Sequence, residues 1–288
     1  MELQVPKVAP ERTSASDGRP YIDFCNSVQD DESGELLKDF RRNPDYDLVV
    51  PGKRNGAEVL EFVELVKNEY AEMLPFLPMF SVDSGTFGNP TTYGFDFGEA
   101  GVFHLDVPLP LHIFYLALTR RYFGDLSNMH VCEIGPGAGL MFKMFTELYP
   151  ATKYTFVDLP APLYLNRKHV EWLQREHNVE EYLPCWKLLN EDIDREYDLV
   201  MSDCAFNELH RDVQSKYVAK IFNKSTRGRI AFYDSDMNTV LPSMNINEVF
   251  GILEKETKTI QTDLRVPTLY WDETKKERNT DATPDADD

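Results

Sequence analysis

The 288-residue sequence predicts an α/β protein with a doubly wound, Rossmann-like sheet. From about residue 125 onward, short apolar runs that suit strands alternate with helical patterns, which is typical of a parallel sheet with helical crossovers. One of these runs passes directly into a turn with three glycines and then into a helical pattern. Because the ligand crevice of such sheets lies outside the carboxyl ends of the strands, we expect the functional residues to follow the strands.

Residues 1–124 are predicted to form an extension of mixed helices and loops. Positions 57–74 carry a stripe of apolar side chains at helical spacing, which predicts a helix with a packing face. The stripe consists of Val59, Leu60, Val63 and Val66. Residues 75–110 are dense in Gly, Pro and aromatic residues, so we expect ordered loops with short strands at most, whose aromatic side chains mainly anchor the loops. A further apolar helix is expected at 111–123.

Residues 125–271 are predicted to form the sheet and its helices, whereas residues 272–288 are acidic, carry few apolar residues and are expected to form a solvated tail. The predicted strands are His130–Ile134, 154–157, 186–189, 198–202 and 229–233. The helices predicted between and after them are Leu140–Leu148, 162–177, 213–222 and 245–256.

The composition argues against several classes of protein. With 30 basic and 49 acidic residues, the chain has a formal net charge of −19, so we expect no nucleic-acid partner. The longest apolar stretch, 107–118, is too short and too interrupted to span a bilayer, and the N-terminus lacks the apolar run of a secretory signal. The four cysteines lie far apart, without the spacing of a zinc site or a disulfide framework. We therefore expect a cytoplasmic protein that is not inserted in a membrane.

The most informative segment is residues 135–139, which we call the glycine turn. Its glycines are Gly135, Gly137 and Gly139. Such a turn lets the main chain approach a nucleotide-like ligand at a helix N-terminus. The dinucleotide fingerprint would need a third glycine where this chain has Leu140, so that fingerprint is broken. Glu133 precedes the turn, where a carboxylate would repel a pyrophosphate and favour an ammonium or sulfonium group.

Two further acids follow predicted strands. Asp158 ends the second strand, where an ionised carboxylate can accept hydrogen bonds from both hydroxyls of a ribose. The alternative is that Asp158 caps the helix that follows. Asp192 comes after the third predicted strand and could accept from an adenine amino group while Ile193 packs on the ring. Capping or simple solvation of Asp192 is equally open.

The glycine turn, with its preceding glutamate and the acid after the next strand, resembles the S-adenosylmethionine site of class I methyltransferases. Residues 158–160, 202–209 and 228–233 are similar to the family of sugar O-methyltransferases. The resemblance implies a class I methyltransferase fold, with the methionine end of the cofactor at Glu133 and the glycine turn, the ribose at Asp158 and the adenine at Asp192. The predicted cofactor-binding residues are Glu133, Gly135, Pro136, Gly137, Gly139, Asp158, Leu159, Asp192, Ile193 and Ser202.

On the acceptor side the chain departs from that family. It has Ser202-Asp203-Cys204 where the family carries Ser-Asn-Tyr, and His210 where a small polar residue is expected. A hydroxyl acceptor needs a general base near the methyl donor, and the candidates are Asp203, Glu208 and His210. Glu208 and His210 are preferred, because a histidine titrates near neutral pH and a neighbouring carboxylate could orient its ring. Alternatively, these two residues cap the next helix.

The leading hypothesis is an enzyme that uses S-adenosylmethionine to methylate a hydroxyl of a sugar or glycan, with residues 1–124 as a cap on the acceptor side. One alternative acceptor is a small phenolic or polyketide-type molecule, and another alternative is a binding protein without turnover. A magnesium ion is a less expected addition. Its ligands would be Asp203, Asp234 and Asp236, which follow the fourth and fifth strands.

Overall fold

The computed structural model describes residue 14 and residues 20–47, 56–81, 86–232, 242–262 and 266–275. The strands are β1 (Thr92–Asp96), β2 (Val102–Asp106), β3 (His130–Ile134), β4 (Lys153–Asp158), β5 (Val179–Pro184), β6 (Tyr197–Asp203), β7 (Ser225–Ala231), β8 (Lys258–Gln261) and β9 (Thr268–Asp272). The α-helices are α1 (Pro20–Asp30), α2 (Glu35–Asp39), α3 (Pro44–Asp47), α4 (Gly56–Glu69), α5 (Leu77–Phe80), α6 (Leu109–Phe123), α7 (Leu140–Leu148), α8 (Pro160–Leu173), α9 (Cys185–Asn190), α10 (Arg211–Lys220) and α11 (Ile246–Ile252).

The centre of the molecule is a seven-stranded sheet in the order β5-β4-β3-β6-β7-β9-β8. The five strands from β5 to β7 are parallel, and β9 runs antiparallel to both of its neighbours. The order reverses between β3 and β6, which is the switch point where ligands of doubly wound sheets bind. The predicted α/β, Rossmann-like sheet is therefore confirmed.

The third predicted strand, 186–189, is wrong. The strand in that place is β5, and the chain forms the short helix α9 directly after it. A short apolar run does not by itself distinguish a strand from a buried helix, and here only Leu188 of α9 is buried, as a helix packed on one side requires. The hairpin of β8 and β9 was not predicted, because its pairing with β7 joins distant parts of the sequence.

Other boundaries shift by a few residues. The helix predicted at 57–74 is α4, which a 3-10 turn follows, and its buried stripe contains Phe62 in place of Leu60, which is 55% exposed. The helix predicted at 162–177 begins earlier, at Pro160, and ends earlier, at Leu173. The loop-rich stretch 75–110 contains the two-stranded sheet β1-β2.

Two apolar layers cover the sheet. Alternation along β3 directs Val131 to the face covered by α4, α6 and α7, and Cys132 to the opposite face, which α10 and α11 cover. Large aromatic side chains of the loop stretch are buried, as expected of anchors: Phe80, Phe87, Phe95 and Phe97. Within the described residues, no helix combines the length and the apolar character that crossing a membrane requires.

The N-terminal helices pack against the carboxyl end of the sheet. Residues of α1, α3 and the loop at Phe87 form one buried cluster with residues of the glycine turn, α7 and α8. An isolated bridge also pairs Ser14 with Leu209, which lies shortly after β6. The cluster consists of Tyr21, Phe24, Cys25, Val28, Phe40, Tyr46, Phe87, Ala138, Leu140, Ala161 and Leu165. The extension therefore lies over the edge of the sheet where the candidate site residues are.

Candidate active site

The glycine turn connects β3 to α7 in a backbone conformation that favours glycine. Gly135, Gly137 and Gly139 all have left-handed φ values, of 70°, 55° and 73°. The N–H of Gly135 donates to the carbonyl of Val157 over 2.9 Å, which ties the turn to the end of β4. A Cβ atom on Gly135 would lie 2.0 Å from the Cβ of Ala205, so the loop after β6 closes directly onto the turn. The turn thus sits at the switch point of the sheet.

Glu133 is almost fully buried, with 3% of its surface exposed. Its Oε2 accepts a hydrogen bond of 2.7 Å from the hydroxyl of Tyr154. Burial raises the pKa of Glu133 to about 8, although the hydrogen bond from Tyr154 acts in the opposite direction. Glu133 is therefore a buried acid that holds its proton near neutral pH, and a cation brought close to it would favour its ionised form.

Asp158 lies at the carboxyl end of β4, beside the glycine turn. One of its oxygens accepts a hydrogen bond of 2.7 Å from the N–H of Leu159, the residue at the N-cap position of α8. Burial raises the pKa of Asp158 to about 7, and the negative charge of Glu208 raises it further against the effect of the Leu159 N–H. The side chain of Asp158 does not cap α8.

Asp203, at the end of β6, is engaged by Arg229 of β7. The two side chains form an ion pair of 2.5 Å, and both are largely buried, with 10% and 0% of their side-chain surfaces exposed. The guanidinium of Arg229 also stacks 4.8 Å from the ring of Tyr115 on α6. Arg229 and Glu133 lie in one row across the sheet, with Met201 between them. The carboxylate of Asp203 is therefore engaged with a buried cation.

The other residues near the end of β6 have defined partners. The Ser202 hydroxyl donates to the carbonyl of Ile134 over 3.1 Å and accepts from the N–H of Phe206, so it holds the loop after β6 against β3. His210 is the N-cap of α10, because its Nδ1 accepts from the N–H of Asp212 over 3.3 Å. Glu208 lies in the 3-10 turn between them.

Asp192 does not follow a strand, although its predicted role depended on that position. It follows α9 rather than a strand, and its side chain is fully exposed and 3.9 Å from Lys220. Ile193 is buried in the core beside α10. Contact of these two residues with an adenine stays a prediction, but the strand end that was expected to present them is not there.

Two of the three candidate metal ligands, Asp234 and Asp236, lie outside the described residues. The third, Asp203, pairs with Arg229. The described part of the chain contains no group of three or more His, Cys, Asp or Glu side chains arranged to hold a metal ion. Magnesium therefore stays a prediction for which the described residues provide no site.

Several residues that shape the site were not predicted from the sequence. Asn166 and His169 of α8 bind carbonyls of the glycine turn. Their signal was a pair of polar residues three positions apart in a helix that is otherwise apolar on that side. Arg229 also carried a signal, since a charged residue between Gly228 and Ile230 in a central strand requires a buried partner.

The cap contributes a second buried ion pair. Arg41 and Asp106 form an ion pair in which both side chains are at least nine-tenths buried. The second carboxylate oxygen of Asp106 and the hydroxyl of Tyr46 are buried without a hydrogen-bond partner. Burial raises the pKa of Tyr46, and the positive charge of Arg41 lowers it. The ring of Tyr46 packs in the buried cluster that also contains Ala138 of the glycine turn and Ala161 of α8.

No family model matches this chain, and no curated protein sequence matches it. Solved structures with a similar fold include PigF with SAH, at 12% identity and a TM-score of 0.42, covering 57% of this chain and 58% of that one. A candidate O-methyltransferase from Nostoc punctiforme PCC 73102 shows 10% identity, coverages of 74% and 70%, and a TM-score of 0.42. An O-methyltransferase family 2 protein from Planctomyces limnophilus DSM 3776, in complex with apigenin, shows 13% identity, coverages of 52% and 51%, and a TM-score of 0.39.

The chain therefore spans a little over half the length of PigF. At these identities and TM-scores, the similarities carry no argument about activity or substrate.

Proposed function

We propose that the protein is an S-adenosylmethionine-dependent O-methyltransferase. The observation that carries the proposal is the glycine turn at the switch point, with three left-handed glycines between the buried Glu133 and the partly buried Asp158. Both acids accept hydrogen bonds from neutral donors, the hydroxyl of Tyr154 and the N–H of Leu159. Such acids are suited to a ligand that brings its own positive charge and hydroxyl groups.

The residues present fit this cofactor. Asp158 would accept from the ribose hydroxyls, the N–H groups of the glycine turn would bind the carboxylate of the methionine part, and Glu133 would compensate its ammonium group. When bound, S-adenosylmethionine supplies an activated methyl group on a sulfonium. The dinucleotide alternative is weaker, because its six-stranded order ends in a parallel strand, whereas the place after β7 is taken here by antiparallel β9.

We propose Glu208 as the general base. Of the three candidates, Asp203 is held by Arg229, and the Nδ1 of His210 is used to cap α10. Glu208 lies in the 3-10 turn that follows β6, and the same loop meets the glycine turn through Ala205, so Glu208 is at the same end of the sheet as the glycine turn. A carboxylate in this position would accept the proton of the acceptor hydroxyl.

We propose a hydroxyl-rich acceptor, a sugar or a glycan. The support for this acceptor is the similarity of residues 202–209 to the family of sugar O-methyltransferases. A flat phenolic acceptor is the alternative, because Tyr93 of the loop stretch is 53% exposed, whereas Phe87, Phe95 and Phe97 are buried as packing anchors.

Calorimetry with S-adenosylmethionine and S-adenosylhomocysteine tests the cofactor assignment. We expect both to bind, and if neither binds the proposal fails. Methyl-labelled S-adenosylmethionine offered with a panel of neutral sugars and a panel of phenols then tests the acceptor. Product with sugars alone supports the assignment, product with phenols alone replaces the acceptor class, and binding without any product leaves a cofactor-binding protein without turnover.

Glu208→Gln tests the general base. We expect it to lower kcat about 100-fold while the Kd of S-adenosylhomocysteine changes less than about twofold, because the carboxylate acts on the acceptor. The exposed Glu191→Gln is the matched control and should leave both quantities unchanged. A Glu208→Gln variant with unchanged kcat would remove Glu208 from the mechanism.

A further inference from the structure

We propose that Asn166 and His169 of α8 are positioning residues that hold the glycine turn in its cofactor-binding form, and that Phe87 of the cap supports them. The inference rests on the proposed function, because it assigns a role in binding S-adenosylmethionine. It concerns side chains on the far side of the turn, which act through the backbone.

Two consecutive carbonyls of the glycine turn are bound by α8. The Nδ2 of Asn166 donates to the carbonyl of Gly137 over 3.1 Å, and the Nδ1 of His169 lies 2.6 Å from the carbonyl of Ala138. Both side chains are almost fully buried, with 1% and 2% of their surfaces exposed. A Cβ on Gly139 would lie 2.9 Å from the Oδ1 of Asn166 and 3.3 Å from the Nδ1 of His169, so α8 fits closely against the turn.

These bonds fix the direction of the peptide groups. In a trans peptide the C=O and the following N–H point in opposite directions. Because the carbonyl of Gly137 points toward Asn166, the N–H of Ala138 points away from α8. The glycines have the widest backbone freedom in the chain, so the turn needs external partners to keep one arrangement of its N–H groups. Asn166 and His169 provide those partners.

His169 is suited to this work because it is neutral. Burial lowers the pKa of His169 to about 3, with Arg41 acting in the same direction. Since a carbonyl only accepts, the proton of the neutral ring must be on Nδ1. The ring stacks on Phe87 with a centroid distance of 4.9 Å and an interplanar angle of 2°. A residue of the cap therefore fixes the orientation of a side chain that fixes the turn.

The chain offers a matched control for Asn166. Asn178 is also 1% exposed, and its Nδ2 donates to two loop carbonyls, those of Pro150 and Thr152, whereas the Nδ2 of Asn166 donates to those of Gly137 and Pro162. Asn178 lies at the amino end of β5, whereas the glycine turn follows the carboxyl end of β3, so the two are at opposite ends of the parallel strands. Substitution of either residue by alanine removes the same kind of hydrogen bonds, but only one set reaches the turn.

The experiment compares Asn166→Ala and Asn178→Ala in the full chain by calorimetry with S-adenosylhomocysteine, well below the melting temperature of each variant. We expect both variants to lose similar stability. We expect the Kd to rise about five- to tenfold in Asn166→Ala and to stay within about twofold in Asn178→Ala, as the loss of one or two positioning hydrogen bonds implies. Equal Kd values for the two variants would overturn the proposal.

His169→Phe supplies a second arm. It retains a flat ring against Phe87 and removes the Nδ1 donor, so we expect a similar rise in Kd. His130→Phe, which removes a bond of 2.9 Å to Thr155 at the other end of β3, is its control. An unchanged Kd in His169→Phe would remove the histidine from the proposed role. If the unmodified protein bound no S-adenosylhomocysteine at all, the proposed function itself would fail. Tight binding by the unmodified protein and by all four variants would overturn only the positioning role.

Discussion

The two sides of the crevice differ in what holds their functional groups in place. On the side of β3 and β4, the candidate cofactor residues lie within residues 133–159, where backbone N–H groups bind Val157 and Asp158 and the following helix α8 binds the carbonyls of the glycine turn. On the side of β6, two of the three candidate bases already have a partner that engages their side chain. Asp203 is bound by Arg229 of the next strand, and His210 is the cap of the following helix.

This difference explains why the cofactor residues can be predicted from the sequence more easily than the general base. A ligand that is recognised by backbone geometry leaves a local pattern in the sequence, since only glycine adopts the required conformations cheaply. Whether a side chain can act as a general base depends on which partners already engage it, and those partners can come from distant segments of the chain. Each of the following variants tests one side against the other.

The largest expected effect is on the β6 side. Arg229→Met should lower the free energy of unfolding by about 3–5 kcal/mol, because it leaves the carboxylate of Asp203 buried beside no cation. The double variant Arg229→Met with Asp203→Leu should recover most of the loss, since both charges are then removed. Chemical denaturation measures all three proteins. If the single variant were as stable as the unmodified protein, Asp203 would not depend on Arg229 and would return as a candidate base.

On the cofactor side, Gly135→Ala should raise the Kd of S-adenosylhomocysteine more than about 100-fold, through backbone strain at a left-handed φ and overlap with Ala205. Gly251→Ala, whose Cβ would meet nothing within 4 Å, is the control and should bind normally. Adding Ala205→Gly should relieve the overlap and restore only part of the affinity. Normal binding by Gly135→Ala would place the cofactor elsewhere.

The affinity for S-adenosylmethionine should depend on pH. The cation favours ionised Glu133, whose pKa in the free protein is raised to about 8, so binding releases a proton near neutral pH. The Kd should therefore fall as the pH rises from about 5.5 to about 7, by at most about tenfold per unit for each proton released. Glu133→Gln should weaken binding and flatten this slope. Calorimetry in two buffers of different ionisation enthalpy counts the protons, and no release by the unmodified protein would contradict the role of Glu133.

The same acid affects stability with a definite sign. Its pKa is raised from 4.5 to about 8, so between these values the folded protein holds a proton that the unfolded chain has lost. The free energy of unfolding should fall as the pH rises through this window, and it should fall less steeply in Glu133→Gln. Thermal melts at about pH 5 and about pH 8 measure both slopes. A slope that is equal in the two proteins would show that Glu133 is not buried as an acid.

The smallest expected effect concerns His210. His210→Asn retains an oxygen that can cap α10 and removes the imidazole, so we expect the free energy of unfolding to change by less than about 0.5 kcal/mol. We expect kcat to stay within about twofold, since the structure uses this side chain as a cap. A fall in kcat of about 100-fold with unchanged stability would make His210 a general base instead.

Much of the fold was predictable because it depends on local patterns. The apolar strand His130–Ile134, the glycines after it and the helix Leu140–Leu148 are each encoded within a few residues, and the structure has both elements at the predicted bounds. The strand predicted at 186–189 was wrong because a few apolar residues suit a strand and a helix buried on one side equally well. The pairing of β9 with β7 could not be predicted from local periodicity, since it joins segments about 40 residues apart.

By itself, the sequence determined the alternation of strands and helices that makes a parallel sheet, the glycine turn and the acid that follows the next strand. Their signals come from backbone conformation and from the alternation of side chains, which are properties of neighbouring residues. Only the tertiary structure decided that Glu133 is a buried acid that accepts a hydrogen bond from Tyr154, and that Asp203 forms an ion pair with Arg229. It also decided that α8 binds the carbonyls of the glycine turn. Burial and charge pairing are set by residues that are distant along the chain, so the protonation and availability of each group appear only after folding.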